Sequence, residues 1–325
     1  MIKRRKKVWL GFDLGGTKMM ATVYDASFRP LASAKAKTPV AAGAQAVQAR
    51  IRDTIREALK EANVLPSDLA AIGVGCPGVL DLDRGVILEA PNLGWKKPVP
   101  LRALLSGWFH CRVLLVNDVD AGTYGEWRFG AGKGARTLVG VFPGTGIGGG
   151  CVYEGKLLRG RTGSAMEIGH LPVRENGRLC GCGKRGCLEA HAGRLAISAE
   201  VAQAAFRGEA PYTSANAGAD LKKLKSGLLA RSIKAGDTVV ERIVRDAMRL
   251  VGRGIGGAVN LLAPDVVVLG GGLIEAMPRF ALEEVRAGLK ETAMTSFLRQ
   301  LKVREAELGD DATTLGAAAL AAESR

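Results

Sequence analysis

His170 is followed in the sequence by Cys180, Cys182 and Cys187, so three of the six cysteines fall within one glycine-rich segment, GRLCGCGKRGCLEAH. Three thiolates and an imidazole suit zinc, which takes such ligands at the corners of a tetrahedron, and a shell filled entirely by protein is a structural site. Glycines at 181, 183 and 186 let the backbone turn tightly enough for the sulfurs to converge. The competing reading, a disulfide with a spare thiol, needs an oxidising compartment. No secretory segment is read ahead of the chain, so zinc is the expectation. Two carboxylates flank the ligands, Glu167 and Glu189. A pinned knuckle would hold both in fixed directions, ready to accept hydrogen bonds from the hydroxyl groups of a ligand.

Three glycine loops follow strand-like runs. DLGGT at 13–17 offers the backbone N–H groups of Gly15, Gly16 and Thr17, a hydroxyl, and in Asp13 a carboxylate able to hold a magnesium ion through water. Such a loop can cradle a phosphate, although two glycines between strands also make an ordinary hairpin turn. Lys18 either adds positive charge there or is simply solvated. PGTGIGGG at 143–150 is a second loop of this kind, with Gly144, Thr145 and Gly146 where backbone must approach an anion. It lacks the Lys-Ser or Lys-Thr pair of the Walker pattern. Gly270, Gly271 and Gly272 follow VVVL and would set bare backbone against a flat, polar ligand such as an adenosine.

Between the first two loops lies VNDVDAG, where a strand ends and Asp118 emerges at the start of a helix. Its carboxylate is placed either for general-base work or for capping the helix, and the residues alone do not separate the two. Asp120 falls on a different helical face and is the expected bystander.

The elements that must position these groups alternate strand and helix. Strands are expected at 8–13, 19–24, 30–37, 70–76, 112–116, 137–142, 151–153, 265–269 and 300–304. Helices are expected at 44–62, with Val47, Ile51, Ile55 and Leu59 on one face, near 100–106, from about 119, and at 190–206, 215–231, 237–262 and 313–323. The stretch 207–218 is expected to be the least structured. The strand, glycine loop and strand around residue 145 repeat the logic of the first loop, which suggests two similar halves. A chain of 325 residues with 47% apolar content is long enough for two cores. No apolar run is long enough to span a membrane, and a cytoplasmic location is expected. The net charge of +14 includes the run Lys3, Arg4, Arg5, Lys6 and Lys7. It is read as a basic tail on a solvated surface rather than as a nucleic-acid site. Three histidines exclude a polyhistidine metal site, and Cys76, Cys111 and Cys151 read as buried small apolar residues.

DLGGTK, APNLGW, NDVDAG, GTGIGGG, EIGH, CGCGKRGCLEAH and VVVLGGG, in that order, resemble the motifs of the ROK family of sugar kinases, from about Val8 to the C-terminus. The resemblance implies an α/β protein of the actin-like ATPase (ribonuclease H-like) fold, with two α/β domains closing over a cleft. The smaller domain would comprise 1–118 plus 311–325, and the larger 119–310. The resemblance makes Asp118 the catalytic base. Asn117, Glu167, His170 and Glu189 become the holders of the sugar hydroxyls, with Gly78 and Asn92 near them, and His170 and the three cysteines the zinc ligands. Asp13, Gly15, Gly16 and Thr17 match the first phosphate loop, Gly144 to Gly146 the second, and Gly270 to Gly272 the adenosine loop.

The activity implied is transfer of a phosphoryl group from ATP, with magnesium, to the 6-hydroxyl of a hexose, glucose first, then N-acetylmannosamine, N-acetylglucosamine or fructose. The positive charge would also suit inorganic polyphosphate as donor, while the adenosine loop favours ATP. The same family contains sugar-responsive repressors, which carry a winged helix-turn-helix ahead of the first loop; twelve residues precede Asp13 here, and the kinase is the expectation. Relatives suggest a homodimer or homotetramer.

Overall fold

A computed structural model describes residues 7–161 and 163–324, so Lys3, Arg4, Arg5 and Lys6 of the basic run lie outside the described residues. The chain forms two compact units, one of Met1–Lys133, Leu157–Ala165 and Asp310–Arg325, the other of Gly134–Lys156 and Met166–Gly309.

The first unit is built from β1 (Val8–Leu14), β2 (Lys18–Tyr24), β3 (Pro30–Lys37), α1 (Ala44–Glu61), β4 (Leu69–Cys76), a hairpin of β5 (Val79–Asp81) and β6 (Val86–Glu89), α2 (Leu101–Phe109), β7 (Arg112–Asn117), α3 (Asp118–Phe129) and the C-terminal helix Asp311–Glu323. Its sheet has the order β3-β2-β1-β4-β7. β1, β2 and β3 pair antiparallel in a meander, and β4 and β7 extend it in parallel with β1. Strand β1 reads as a near-continuous apolar run because both faces are covered. α1 lies against β2 and β3 and turns the expected face inward, with Val47, Ile51, Ile55 and Leu59 buried. The C-terminal helix, rich in alanine, lies on β1, β4 and α3. It comes so close that a Cβ at Gly11 would stand 1.8 Å from the Thr314 carbonyl oxygen. The expected division after residue 118 falls at the junction of β7 and α3, and α3 belongs to this first unit.

The second unit contains β8 (Leu138–Pro143), β9 (Ile147–Tyr153), β10 (Lys156–Leu157), α4 (Leu188–Ala192), α5 (Arg194–Phe206), α6 (Pro211–Asn216), α7 (Ser226–Lys234), α8 (Thr238–Leu262), β11 (Val266–Leu269), α9 (Gly272–Ala276), α10 (Pro278–Thr292), α11 (Thr295–Leu298) and β12 (Lys302–Glu305). The sheet order is β10-β9-β8-β11-β12. β8 and β9 form an antiparallel hairpin, and β11 and β12 continue in parallel with β8. The segment β9-β8-β11-β12 thus repeats β2-β1-β4-β7, which is the repetition expected from the two hairpin loops.

Two expected helices are corrected: residues 190–206 are not one helix, because α4 ends at Ala192, Gly193 is extended and α5 begins at Arg194. Residues 215–231 are not one helix: α6 ends at Asn216 and α7 begins at Ser226, because Gly218 takes a positive φ of 57° and Lys225 is extended. The stretch 207–218, expected to be the least structured, carries the short helix α6, which Pro211 opens at its first turn. Helix α10 and the β5–β6 hairpin were not among the expected elements. Among the described residues no helix is long and apolar enough to cross a membrane.

Candidate active site

In the first unit the register of three parallel strands brings the candidate groups to one edge. Asp13 stands opposite Gly75, and Cys76 opposite Asn117, so the carboxyl ends of β1, β4 and β7 deliver the first glycine loop, the Cys76–Gly78 turn and Asp118 side by side. Ligands of open α/β sheets sit outside such strand ends. Asn117 caps α3, its Oδ1 accepting the N–H groups of Val119 at 2.9 Å and Asp120 at 3.2 Å. Asp118 Oδ1 shares the Val119 donor at 3.0 Å, but α3 is capped without it. Asp120 is 2% exposed and sits in the interior of the unit.

Burial first, and then the charge of Asp118, push the Asp13 carboxyl up to about 7, with Lys18 opposing. Lys18 is not simply solvated. Its ammonium bonds both oxygens of Asp310, at 2.7 and 2.8 Å, and Lys35 joins the same carboxylate at 3.3 Å. Thr38 steadies the loop by donating from Oγ1 to the Gly15 carbonyl at 2.7 Å. Asn92 lies against the loop from the other side: a Cβ at Gly16 would be 2.6 Å from the Asn92 carbonyl oxygen. Gly78 has a φ of +91° and turns the chain from β4 into the β5–β6 hairpin.

In the second unit the loop 143–146 closes the β8–β9 hairpin, with the Gly144 N–H on the Gly146 carbonyl at 2.8 Å. Glu189, on α4, packs into the space beside Gly146, and its Oε2 accepts the Ile147 N–H at 2.9 Å. The start of α5 grips the loop as well. The Arg194 N–H donates to the Gly144 carbonyl at 3.0 Å, and its guanidinium donates to Thr145 Oγ1 at 3.0 Å. Gly270 to Gly272 leave β11 beside this loop: Gly270 donates to the Val141 carbonyl at 3.2 Å, and Gly271 lies against Pro143. The second and third glycine loops are therefore neighbours.

Glu167 precedes a short 3₁₀ turn, Ile168–His170, whose last N–H returns to the Glu167 carbonyl at 2.9 Å. His170 Nδ1 and the sulfurs of Cys180, Cys182 and Cys187 all lie within 4.8 Å of one another. His170 Nδ1 is 3.6 Å from Cys180 Sγ, and Cys182 Sγ is 3.7 Å from Cys187 Sγ. A tetrahedron with Zn–S arms of about 2.3 Å and a Zn–N arm of about 2.0 Å has edges of roughly 3.8 Å between sulfurs and roughly 3.6 Å between sulfur and nitrogen. The donor set therefore fits zinc in type and in spacing, and the sulfur separation is far too long for a disulfide. Burial pushes the Cys187 thiol up to about 12, so a divalent cation would be needed to hold that sulfur as a thiolate. His191 takes another role, its Nε2 accepting the Arg178 N–H at 3.2 Å and tying the knuckle to α4.

The ROK family profile matches residues 9–324. The chain belongs to the ROK family. A ROK relative, the glucokinase of Streptomyces coelicolor, is 32% identical over 319 residues that cover 97% of both chains. A ROK family glucokinase from Streptomyces griseus, solved in complex with glucose and AMPPNP, superposes with a TM-score of 0.83 at 31% identity, covering 98% of this chain and all of that one. The xylose repressor of Caldicellulosiruptor bescii is 29% identical over 82% of this chain and 66% of its own length. Like its ROK kinase neighbours, the chain has the actin-like ATPase fold. Two side chains of the site carried no sequence signal: Arg194, which lies outside every glycine motif, and Asp310, distant in sequence from the Lys18 it holds.

Proposed function

We propose that the chain is an ATP-dependent hexose kinase that phosphorylates the 6-hydroxyl of glucose. The observation that carries this reading is the position of Asp118, at the strand edge that also bears Asp13 and the first glycine loop, on a helix already capped by Asn117. Glucokinases similar to this chain over nearly its whole length support the sugar and the donor.

Asp118 accepts the proton of the 6-hydroxyl as that oxygen attacks the γ-phosphorus. The bond from phosphorus to the β–γ bridging oxygen breaks, and ADP leaves with its electrons. The N–H groups of Gly15, Gly16 and Thr17, and those of Thr145 and Gly146, neutralise charge on the donor phosphates, while the Gly144 N–H, bonded to the Gly146 carbonyl, shapes the second loop. Gly270 to Gly272 lie against its adenosine. Asp13 would hold the magnesium ion, which supplies further charge neutralisation when bound. His170, Cys180, Cys182 and Cys187 would hold zinc, which supplies a rigid centre. With Nδ1 on the metal, His170 would keep Nε2 free for the sugar hydroxyls, which Asn92, Asn117, Glu167 and Glu189 would also orient beside Gly78. The reading carries with it a cytoplasmic enzyme that assembles as a homodimer or homotetramer.

The test is magnesium-ATP turnover on the purified protein against glucose, mannose, fructose, N-acetylglucosamine and N-acetylmannosamine, with Asp118→Asn as the blank. Preference for an N-acetyl sugar or fructose would keep the mechanism and change the substrate. Polyphosphate in place of ATP settles the donor. Sugar binding without turnover would favour a sensor of the kind the repressor relatives represent.

A further inference from the structure

Arg194 is the first residue of α5, a position where helix electrostatics does not favour a cation. The N-terminal turn of a helix favours negative charge, yet the first turn of α5 carries no acidic residue and opens with a guanidinium instead. Among the described residues no carboxylate forms an ion pair with Arg194. One terminal nitrogen meets the Leu224 carbonyl at 3.5 Å, and the other donates to Thr145 Oγ1 at 3.0 Å. The same residue's backbone N–H holds the Gly144 carbonyl at 3.0 Å. A fixed, ion-pair-free guanidinium thus stands on the hydroxyl of the second glycine loop.

We infer that Arg194 binds the donor's phosphates at this loop, its planar fork matching phosphate oxygens in a way a point charge cannot. A phosphate between the guanidinium, the Thr145 hydroxyl and the loop N–H groups would relieve the unfavourable placement of a cation at a helix N-terminus. The assignment deepens the kinase reading and rests on it for the identity of the loop's ligand.

The test compares the wild type with R194Q, R194K and R194A. Adenosine, ADP and AMPPNP are titrated calorimetrically with magnesium present, and KM and kcat are measured for ATP and for the sugar. Adenosine is expected to bind all four proteins alike. AMPPNP is expected to bind R194Q and R194A roughly tenfold to a hundredfold more weakly, the range for losing a charged hydrogen bond, with partial recovery in R194K. KM for ATP should rise in step while KM for the sugar stays constant. Glutamine can still donate to Thr145 Oγ1, so wild-type AMPPNP affinity in R194Q would reduce Arg194 to a clamp on the loop and overturn the assignment. Equal weakening of adenosine would overturn it too. If the wild type binds AMPPNP more tightly than adenosine but phosphorylates no sugar, the kinase reading fails, and the binding series alone decides on Arg194.

Discussion

The Glu189 carboxylate accepts the backbone N–H of Ile147 at 2.9 Å through Oε2, so a residue proposed to hold sugar hydroxyls is bonded directly to the loop proposed to hold donor phosphate. Sugar and donor should therefore sense each other through one side chain. Glu189→Gln is expected to raise KM for the sugar and KM for ATP together, each by roughly tenfold or more, the range for losing a charged hydrogen bond. Steady-state kinetics with each substrate varied in turn checks this. A rise confined to the sugar would show that the contact with Ile147 transmits nothing.

Asp118→Asn keeps the shape of the side chain and leaves the Asn117 cap in place. Loss of a general base lowers kcat by about a hundredfold to ten-thousandfold. Sugar affinity should stay within about tenfold, or 1.4 kcal/mol. Turnover at the wild-type rate would remove Asp118 from the role of base, and calorimetry of sugar binding separates that outcome from misfolding.

Asp13 gives a dependence on pH. Its carboxyl is raised from 3.8 to about 7, by burial first and by Asp118 second. The unfolded chain therefore releases this proton well before the folded one, and the native state binds more protons across that interval. Stability contributed by this site is present below about pH 4, falls as pH rises, and is fully lost above about pH 7. Asp13→Asn, which has no charge to bury, should raise the melting temperature of the magnesium-free protein at pH 8 and leave it nearly unchanged at pH 4. Magnesium should stabilise the wild type at pH 8 and not the variant. Melting curves at the two pH values, with and without magnesium, provide the check; an unchanged difference between variant and wild type across pH would place the Asp13 carboxyl in its ordinary range.

Much of this arrangement was legible because it is local. Each glycine loop follows an apolar strand within a few residues, and the apolar face of α1 repeats at helical spacing, so both could be read from neighbouring letters. The clasp of Lys18 by Asp310 joins the two ends of the chain, and nothing near either residue announces it. Asn117 and Asp118 are both good caps by type; only the observed bonds to Val119 and Asp120 assign the cap to Asn117. The break between α6 and α7 was hidden by helix-forming residues on both sides, and it turns on the backbone of Gly218. Helix α10, by contrast, did leave a signal that went unread: Pro278 in the first turn, with Ala281, Val285 and Leu289 buried one turn apart.

In the proposed function the knuckle would tie a metal to the sugar site. His170 contributes Nδ1 to the cluster, and the chain between Cys180 and Cys187 ends where Glu189 begins its work on the loop at Ile147. Removing one sulfur should thus do more than lower metal content. Cys182→Ser is chosen because Cys182 is exposed, so the substitution costs little packing. Losing a ligand of the proposed zinc would release the loop expected to fix both the His170 ring and the direction of Glu189. The variant is expected to lose bound zinc, measured by elemental analysis, and to bind sugar at least tenfold more weakly, while adenosine binding, which depends on Gly270 to Gly272, stays unchanged. Chelation of the wild type should reproduce the pattern, and added zinc should reverse it. Zinc-free protein with normal sugar affinity would mean that the knuckle holds itself together and that the metal orients nothing.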